Sequence, residues 1–308
     1  MKLVFMGTPQ FAVPVLQRLM DDGHEIAAVY TQPDKPVGRG LHLMPPPVKV
    51  LAAEKGIPVR QPTKLRDGTV AREICEMAPA LAVVVAYGRI LPPDILQAPA
   101  LGCINLHASL LPKYRGAAPV QWSVLSGEKI TGVTSMFMAE GLDTGDIILQ
   151  IQTPIGPEET APELFDRLSP LGAECISQTL RLFEKGEVTR TPQKEEEATL
   201  APILRKEMGK LDFSRPAAEL HNQVRGLAGW PAAYTHWNGR LLKVHASRML
   251  ALCGSPGEVL AAEGALAVAC GEGALELVTV QPEGKGRMDG GAFMNGYRIK
   301  PHDFFTER

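Results

Sequence analysis

Apolar and polar positions follow two regimes along this chain. In the first, short apolar runs alternate with segments in which apolar residues return every three or four positions. Lys2 to Gly7 is a short apolar run; Phe11, Val15, Leu16 and Leu19 then recur at helical spacing, and Ile26-Ala27-Ala28-Val29-Tyr30 is a second run. This β-α-β order predicts a parallel sheet. Thr8 stands where it can cap the helix, with Pro9 at the first helical position and Pro14 shortening or kinking the first turn. Val48 to Lys55 and Asp67 to Met77 read as helices and Pro58 to Pro62 as a brief strand. Leu81 to Gly88 is the strongest strand signal, a continuous apolar run suited to burial on both faces. A helix over Ala117–Ser126, strands over Gly132–Ala139 and Ile147–Ile155, and a long helix over Thr160–Glu184 follow, the last opened by a Thr160/Glu163 capping box.

The second regime begins near Gly186. Residues 186–202 read GEVTRTPQKEEEATLAP, a linker or meandering crossover whose acidic run is expected to be a solvated surface. A helix over Pro216–Arg225 comes next, then short strands punctuated by glycine: Ala232–Trp237, Arg240–Ala246, Gly257–Leu260, Ala265–Ala269 and Leu275–Val280. Asn238-Gly239 between two of them is a hairpin signal. Such strands suggest a small β-barrel. The expected fold is α/β: a Rossmann-like, mostly parallel open sheet over residues 1–188, a linker over 189–205, and a smaller C-terminal β-barrel domain over 206–308.

Composition changes this picture little and excludes several classes. Hydrophobic content of 45% and charged content of 21% over 308 residues are ordinary for a globular protein. No apolar run approaches a membrane span, and no signal peptide is expected. The five cysteines are scattered and form no C-x-x-C, which fits a reduced cytoplasmic compartment and not a zinc site. Residues 1–200 carry 19 Lys and Arg against 23 Asp and Glu, residues 201–308 carry 13 against 11. A mildly basic C-terminal part permits contact with a polyanion. Gly7-Thr8-Pro9-Gln10-Phe11-Ala12 holds one glycine, so neither a dinucleotide fingerprint nor a Walker loop is present. NAD and ATP are both disfavoured. Thr31 to Pro47, TQPDKPVGRGLHLMPPP, is expected to be a long exposed loop without regular structure, with Arg39 at its tip between two glycines.

The candidate chemistry concentrates in Gly102–Gly116, GCINLHASLLPKYRG. If Cys103–His107 is a strand, Ile104 and Leu106 share one face, and Asn105 and His107 share the other. An amide donor then stands beside a group that titrates near neutrality, at the strand end where α/β sheets bind ligands. Downstream, Glu140–Asp146 packs two glycines and two carboxylates into a turn that can bring an acid to another site. No H-E-x-x-H, clustered His/Cys set or G-x-S-x-G elbow is present. An Asn, a His and an Asp without an obvious nucleophile suit acyl transfer to an amine. Asn105 and protonated His107 would donate to the oxyanion of a tetrahedral intermediate, and Asp143 would help move the amine's proton.

NLHASLLPKYRGAAP, GLDTGD, MGTPQFA, TQPDKPVGRG and MPPPVK together resemble the methionyl-tRNA formyltransferase family over most of the chain. The resemblance implies formyl transfer from 10-formyltetrahydrofolate to initiator methionyl-tRNA, without a metal, by a cytoplasmic monomer. Carried over by motif, Asn105, His107 and Asp143 are catalytic. Ser109, Leu110, Leu111 and Pro112 help bind folate, while Tyr87, Gly88, Arg89, Ile90 and Leu91, with Leu142 and Thr144, line the pterin pocket. Arg39 and Lys35 on the long loop contact tRNA, and the C-terminal barrel is OB-like and also meets tRNA. The alternatives are a formyltransferase acting on an amino sugar nucleotide and a non-catalytic binder of folate and nucleic acid. A short purine-pathway formyltransferase would lack the last hundred residues.

Overall fold

A computed structural model describes residues 1–37 and 42–305. The chain forms two compact units. The first comprises residues 1–119, 130–154 and 165–201, and the second residues 120–129, 155–164 and 202–308. In chain order the first part holds β1 (Lys2–Gly7), α1 (Val13–Asp21), β2 (Glu25–Tyr30), β3 (Lys35–Val37), β4 (His42–Met44), α2 (Pro47–Glu54), β5 (Val59–Arg60), α3 (Thr69–Met77), β6 (Leu81–Val85), α4 (Pro93–Leu96), β7 (Cys103–His107), β8 (Arg115–Gly116), α5 (Pro119–Leu125), β9 (Ile130–Phe137), β10 (Ile147–Pro154), α6 (Ala161–Lys185) and β11 (Leu200–Ala201).

The main sheet runs β10-β9-β7-β6-β1-β2-β5. β5, β2, β1, β6 and β7 are parallel, and β9 and β10 add antiparallel to the β7 edge. The expected Rossmann-like sheet is what forms. The continuous apolar run Leu81–Val85 is buried throughout, as a central strand between two neighbours must be. After β1 the chain winds outward through β2 to β5, then returns across β1 to β6 and β7. The order therefore reverses between β1 and β6, and α/β sheets hold ligands in the crevice at such a reversal. One core cluster covers a sheet face with Val4, Met6, Tyr30, Ile74, Val84, Tyr87 and Ile95.

Two local expectations need correction, and a third resolves between its alternatives. Thr8 caps no helix: Gln10–Ala12 forms a 3-10 turn, and α1 begins at Val13 with Pro14 in its first turn. The Thr8 hydroxyl instead donates to the Tyr87 carbonyl at 3.1 Å and accepts from the Gln32 amide at 3.3 Å, tying together the loops after β1, β2 and β6. The proline-rich Thr31–Pro47 loop contains regular structure, with β3 and β4 paired antiparallel. Pro36 lies at the edge of that ribbon, where a missing N–H costs little. Of the two forms expected for residues 186–202, a linker or a meandering crossover, residues 191–201 take the second. Thr191 bridges Ile147, and β11 pairs parallel with β8.

The second unit continues with α7 (Ala217–Gly226), β12 (Ala233–Trp237), β13 (Arg240–Leu250), β14 (Val259–Leu260), β15 (Ala267–Ala269), β16 (Ala274–Pro282), β17 (Met288–Asp289) and α8 (Gly290–Gly296). Its sheet is antiparallel in the order β12-β13-β16-β15-β14, curled as a half-barrel, with β17 on β16. Asn238 and Gly239 both have positive φ, 49° and 72°, as a tight two-residue hairpin requires. Alternation fills the interior: Leu242, Val244, Leu275, Leu277 and Val280 meet Leu220 and Val224 of α7 and Phe293 of α8. The last two elements lie where glycine density hid any pattern.

Candidate active site

The site grows from the alternation of β7. Leu106 faces α6, where Gly172 gives it room; a Cβ there would lie 2.5 Å from the leucine methyl. Asn105 and His107 fall on the opposite face, shared with Cys103. Asn105 sits between Val84 of β6 and Met136 of β9 in register, and His107 closes the strand opposite Thr134. The Asn105 side chain is half-buried, and among the described residues its amide has no hydrogen-bond partner. Its donors are unspent.

His107 is 6% exposed. Its Nε2 lies 2.8 Å from the Tyr114 carbonyl, which can only accept, so Nε2 carries a proton. The other nitrogen, Nδ1, faces Asp143 Oδ2 at 3.6 Å. That is too long for a hydrogen bond but close for an ion pair when the ring is charged. Asp143 comes from the β9–β10 turn, 36 residues along the chain. The same Oδ2 accepts from the Gly116 amide at 2.8 Å. The turn is tight enough to need its glycine, since a Cβ on Gly145 would collide with the Phe137 carbonyl. Asn105, His107 and Asp143 thus meet at one sheet edge. The arrangement offers a free amide donor, an imidazole edge and a carboxylate, a set able to hold an oxygen that gains charge and to pass a proton.

The other expected residues divide. Ser109 is fully buried and donates to the Lys113 carbonyl at 2.6 Å. Leu111 is buried too; its N–H donates to Thr134 and its carbonyl accepts from Gln150. Leu110 packs toward Gly132 of β9, and Pro112 is half-buried. These side chains shape the loop beside the site. Tyr87 is also turned inward, in the core cluster with Tyr30, and burial raises its hydroxyl above the usual tyrosine range. Its carbonyl accepts from Thr8 and, at 2.9 Å, from Gln32. Leu91 is buried, and Arg89 reaches the carbonyls of Pro62 and Thr63, 2.8 Å each. Gly88, Ile90, Leu142 and Thr144 are exposed, Ile90 by 71% and Leu142 by 59%. Lys35 is exposed on β3, whereas Arg39 lies outside the described residues.

Sequence reasoning missed the supports: the Tyr114 carbonyl, held at φ 63°, the Gly116 amide and the Thr134 hydroxyl. Two of the three are backbone groups, which leave no signature in a string of side chains. Among the described residues, no group of three His, Cys, Asp or Glu stands ready for a metal ion, and no helix is long and apolar enough to cross a membrane.

Comparison with known proteins sets the class first. Residues 1–180 match the family described as "Formyl transferase", and residues 203–298 match "Formyl transferase, C-terminal domain". Solved structures share the fold. The N-formyltransferase of Helicobacter canadensis, complexed with folinic acid and dTDP-3-aminofucose, has a TM-score of 0.70 at 20% identity, covering 92% of this chain and 99% of its own. HypX of Aquifex aeolicus in complex with tetrahydrofolic acid has a TM-score of 0.60 at 18% identity, covering 99% of this chain; this chain spans 50% of HypX. Closer in sequence is the methionyl-tRNA formyltransferase of Citrifermentans bemidjiense, 48% identical over 98% of this chain and 95% of that protein. That of Pelobacter propionicus is 50% identical over 96% and 93%. The chain belongs to the methionyl-tRNA formyltransferase family.

Proposed function

We propose that this protein moves the formyl group of 10-formyltetrahydrofolate to the amino group of initiator methionyl-tRNA. The observation that carries the chemistry is the meeting of Asn105, His107 and Asp143 from two distant segments, with the Asn105 donors unspent. The near-full-length likeness to named methionyl-tRNA formyltransferases supports the substrates. The folate fits the donor set: an unspent amide suits a formyl oxygen, and exposed Ile90 and Leu142 suit an apolar ring face. When bound, the folate supplies a formyl carbon bonded to nitrogen and open to attack by an amine.

The residues then have distinct tasks. Asn105 donates to the formyl oxygen, which gains charge as the amine's nitrogen bonds to the carbon. His107, with Nε2 spent on the Tyr114 carbonyl, acts through its Nδ1 edge. Asp143 faces that edge and accepts the proton the amine loses; the proton ends on the folate nitrogen as its bond to the formyl carbon breaks. Residues 109–112 hold the loop that closes the folate side, with residues 87–91 and 142–144 around the pterin. Lys35 and Arg39, together with the C-terminal unit, contact tRNA. Five free cysteines support a reducing cytoplasmic compartment, and we read the active form as a monomer.

The test offers labelled 10-formyltetrahydrofolate to the purified protein with initiator methionyl-tRNA, elongator methionyl-tRNA or a dTDP-amino sugar. Label is expected on the initiator methionyl-tRNA. Transfer to the amino sugar alone would replace the acceptor, and no transfer at saturating donor would leave a binder.

A further inference from the structure

Residues 186–202 lie between the two segments that match known family domains. Their backbone returns to the edge of the main sheet. Thr191 and Ile147 exchange both main-chain hydrogen bonds, at 2.9 and 3.0 Å. Two residues on, Gln193 reaches the turn that carries Asp143. Its Nε2 donates to the Asp143 carbonyl at 2.8 Å and to the Gly145 carbonyl at 2.7 Å. On its other side, Oε1 accepts from Arg115 Nε at 3.1 Å. Only one amide orientation satisfies these neighbours. Turned over, the NH2 would face a guanidinium N–H, and the oxygen would face two carbonyls.

Arg115 is in turn fixed. It is 5% exposed, and its Nη1 donates to both Glu195 oxygens, at 2.9 and 3.1 Å. The residue after it, Gly116, supplies the amide that holds the Asp143 carboxylate. The Asp143 turn is therefore gripped twice from one anchor: at its main chain by Gln193, and at its side chain by Gly116. The grip has something to oppose. Asp143 has φ 53°, a left-handed conformation that a non-glycine residue keeps only where its surroundings hold it.

We propose that Gln193 is a positioning residue for formyl transfer, clamping the Asp143 turn so that its carboxylate faces His107 Nδ1. This rests on the reading of Asp143 as the acid of the reaction. A displaced carboxylate lowers the rate of the chemical step without weakening substrate binding, and misplacement by about 1 Å is enough for a loss near 10²-fold. Gln193→Met keeps the length and removes every hydrogen bond. Gln193→Glu keeps an acceptor for Arg115 and turns an oxygen, in place of the two donors, toward the Asp143 and Gly145 carbonyls, which loosens the turn while keeping the anchor.

Full-length Gln193→Met, Gln193→Glu, Asp143→Asn and Gln193→Met/Asp143→Asn proteins are compared for kcat and for KM of methionyl-tRNA and donor. Gln193→Met and Gln193→Glu are expected to lower kcat about 10- to 100-fold, with both KM values within about 2-fold of wild type. In the Asp143→Asn background the Gln193→Met effect is expected to shrink to within about 2-fold, because both changes act through one group. Wild-type kcat in both Gln193 variants overturns the proposal, as does a loss that falls on KM or persists undiminished without Asp143. Loss of the fold in both variants, seen by circular dichroism, overturns it also, since Gln193 would then be structural. A slow Asp143→Asn beside fast Gln193 variants rejects the clamp alone; wild-type kcat in Asp143→Asn rejects the underlying reading and the clamp with it.

Discussion

Two buried histidines in this molecule stand beside a carboxylate, and they differ in what is left over. His221 of α7, in the second unit, is 2% exposed and has Glu158 Oε2 at 3.4 Å from Nε2. Its Nδ1 meets the Ser247 hydroxyl at 3.0 Å, and its Nε2 also meets the Pro157 carbonyl at 3.3 Å. Every polar edge has a partner within the unit. His107 is as close to its acid, yet Nδ1 has no neighbour at hydrogen-bond distance, and the amide beside it is unspent. An imidazole next to a carboxylate is thus no mark of chemistry. An unspent amide and a free imidazole edge side by side at the ligand-binding edge of an α/β sheet are, because together they can receive a group from outside.

This contrast predicts opposite effects for one substitution made twice. His107→Ala is expected to lower formyl transfer about 10²-fold or more. His221→Ala is expected to leave kcat within about 2-fold. Equal losses of turnover in the two variants would break the comparison. A smaller effect is in stability. His221→Ala strips the Ser247 hydroxyl of its partner and opens a gap, at a cost of about 2 kcal/mol in urea unfolding. An unchanged midpoint would show that the bonds around His221 count for little.

The smallest effect is in pH. Burial lowers the His221 pKa, against the opposing pull of Glu158 and the Pro157 carbonyl. The folded protein then binds fewer protons than the unfolded chain just below the unfolded value of about 6.5, so stability rises with pH through that window and falls on acidification. His24 and His245 are lowered mainly by burial too, so His221→Ala should remove part of this slope. An unaltered slope in urea titrations between about pH 5 and about pH 7 would contradict it.

What the chain disclosed in advance follows the range of the forces involved. The alternation in Cys103–His107 and the apolar run of Leu81–Val85 are properties of neighbours, and they marked the right strands. So did Thr160 and Glu163, which form the expected capping box: the Thr160 N–H donates to Glu163 at 2.8 Å. Thr8 misled because its local surroundings look like a cap, whereas its partners Tyr87 and Gln32 come from other loops. Residues 191–201 could be read as a linker or a meandering crossover for the same reason. Their worth lies in Arg115 and the Asp143 turn, both far back in the chain. Asn105, His107 and Asp143 were found through their chemistry and a family resemblance, while the groups that hold them, mostly backbone, were invisible until the fold was known.

The most direct test of the site is the single-turnover rate of formyl transfer to methionyl-tRNA by Asn105→Ala, with folate binding measured alongside. Because the Asn105 amide has no partner among the described residues, its removal should leave the fold intact. Folate binding is expected within about 2-fold of wild type, with the transfer step slower by about 10²-fold or more. A wild-type transfer rate in the folded, folate-bound variant would contradict the assignment of this sheet edge as the place where the formyl group is held and attacked.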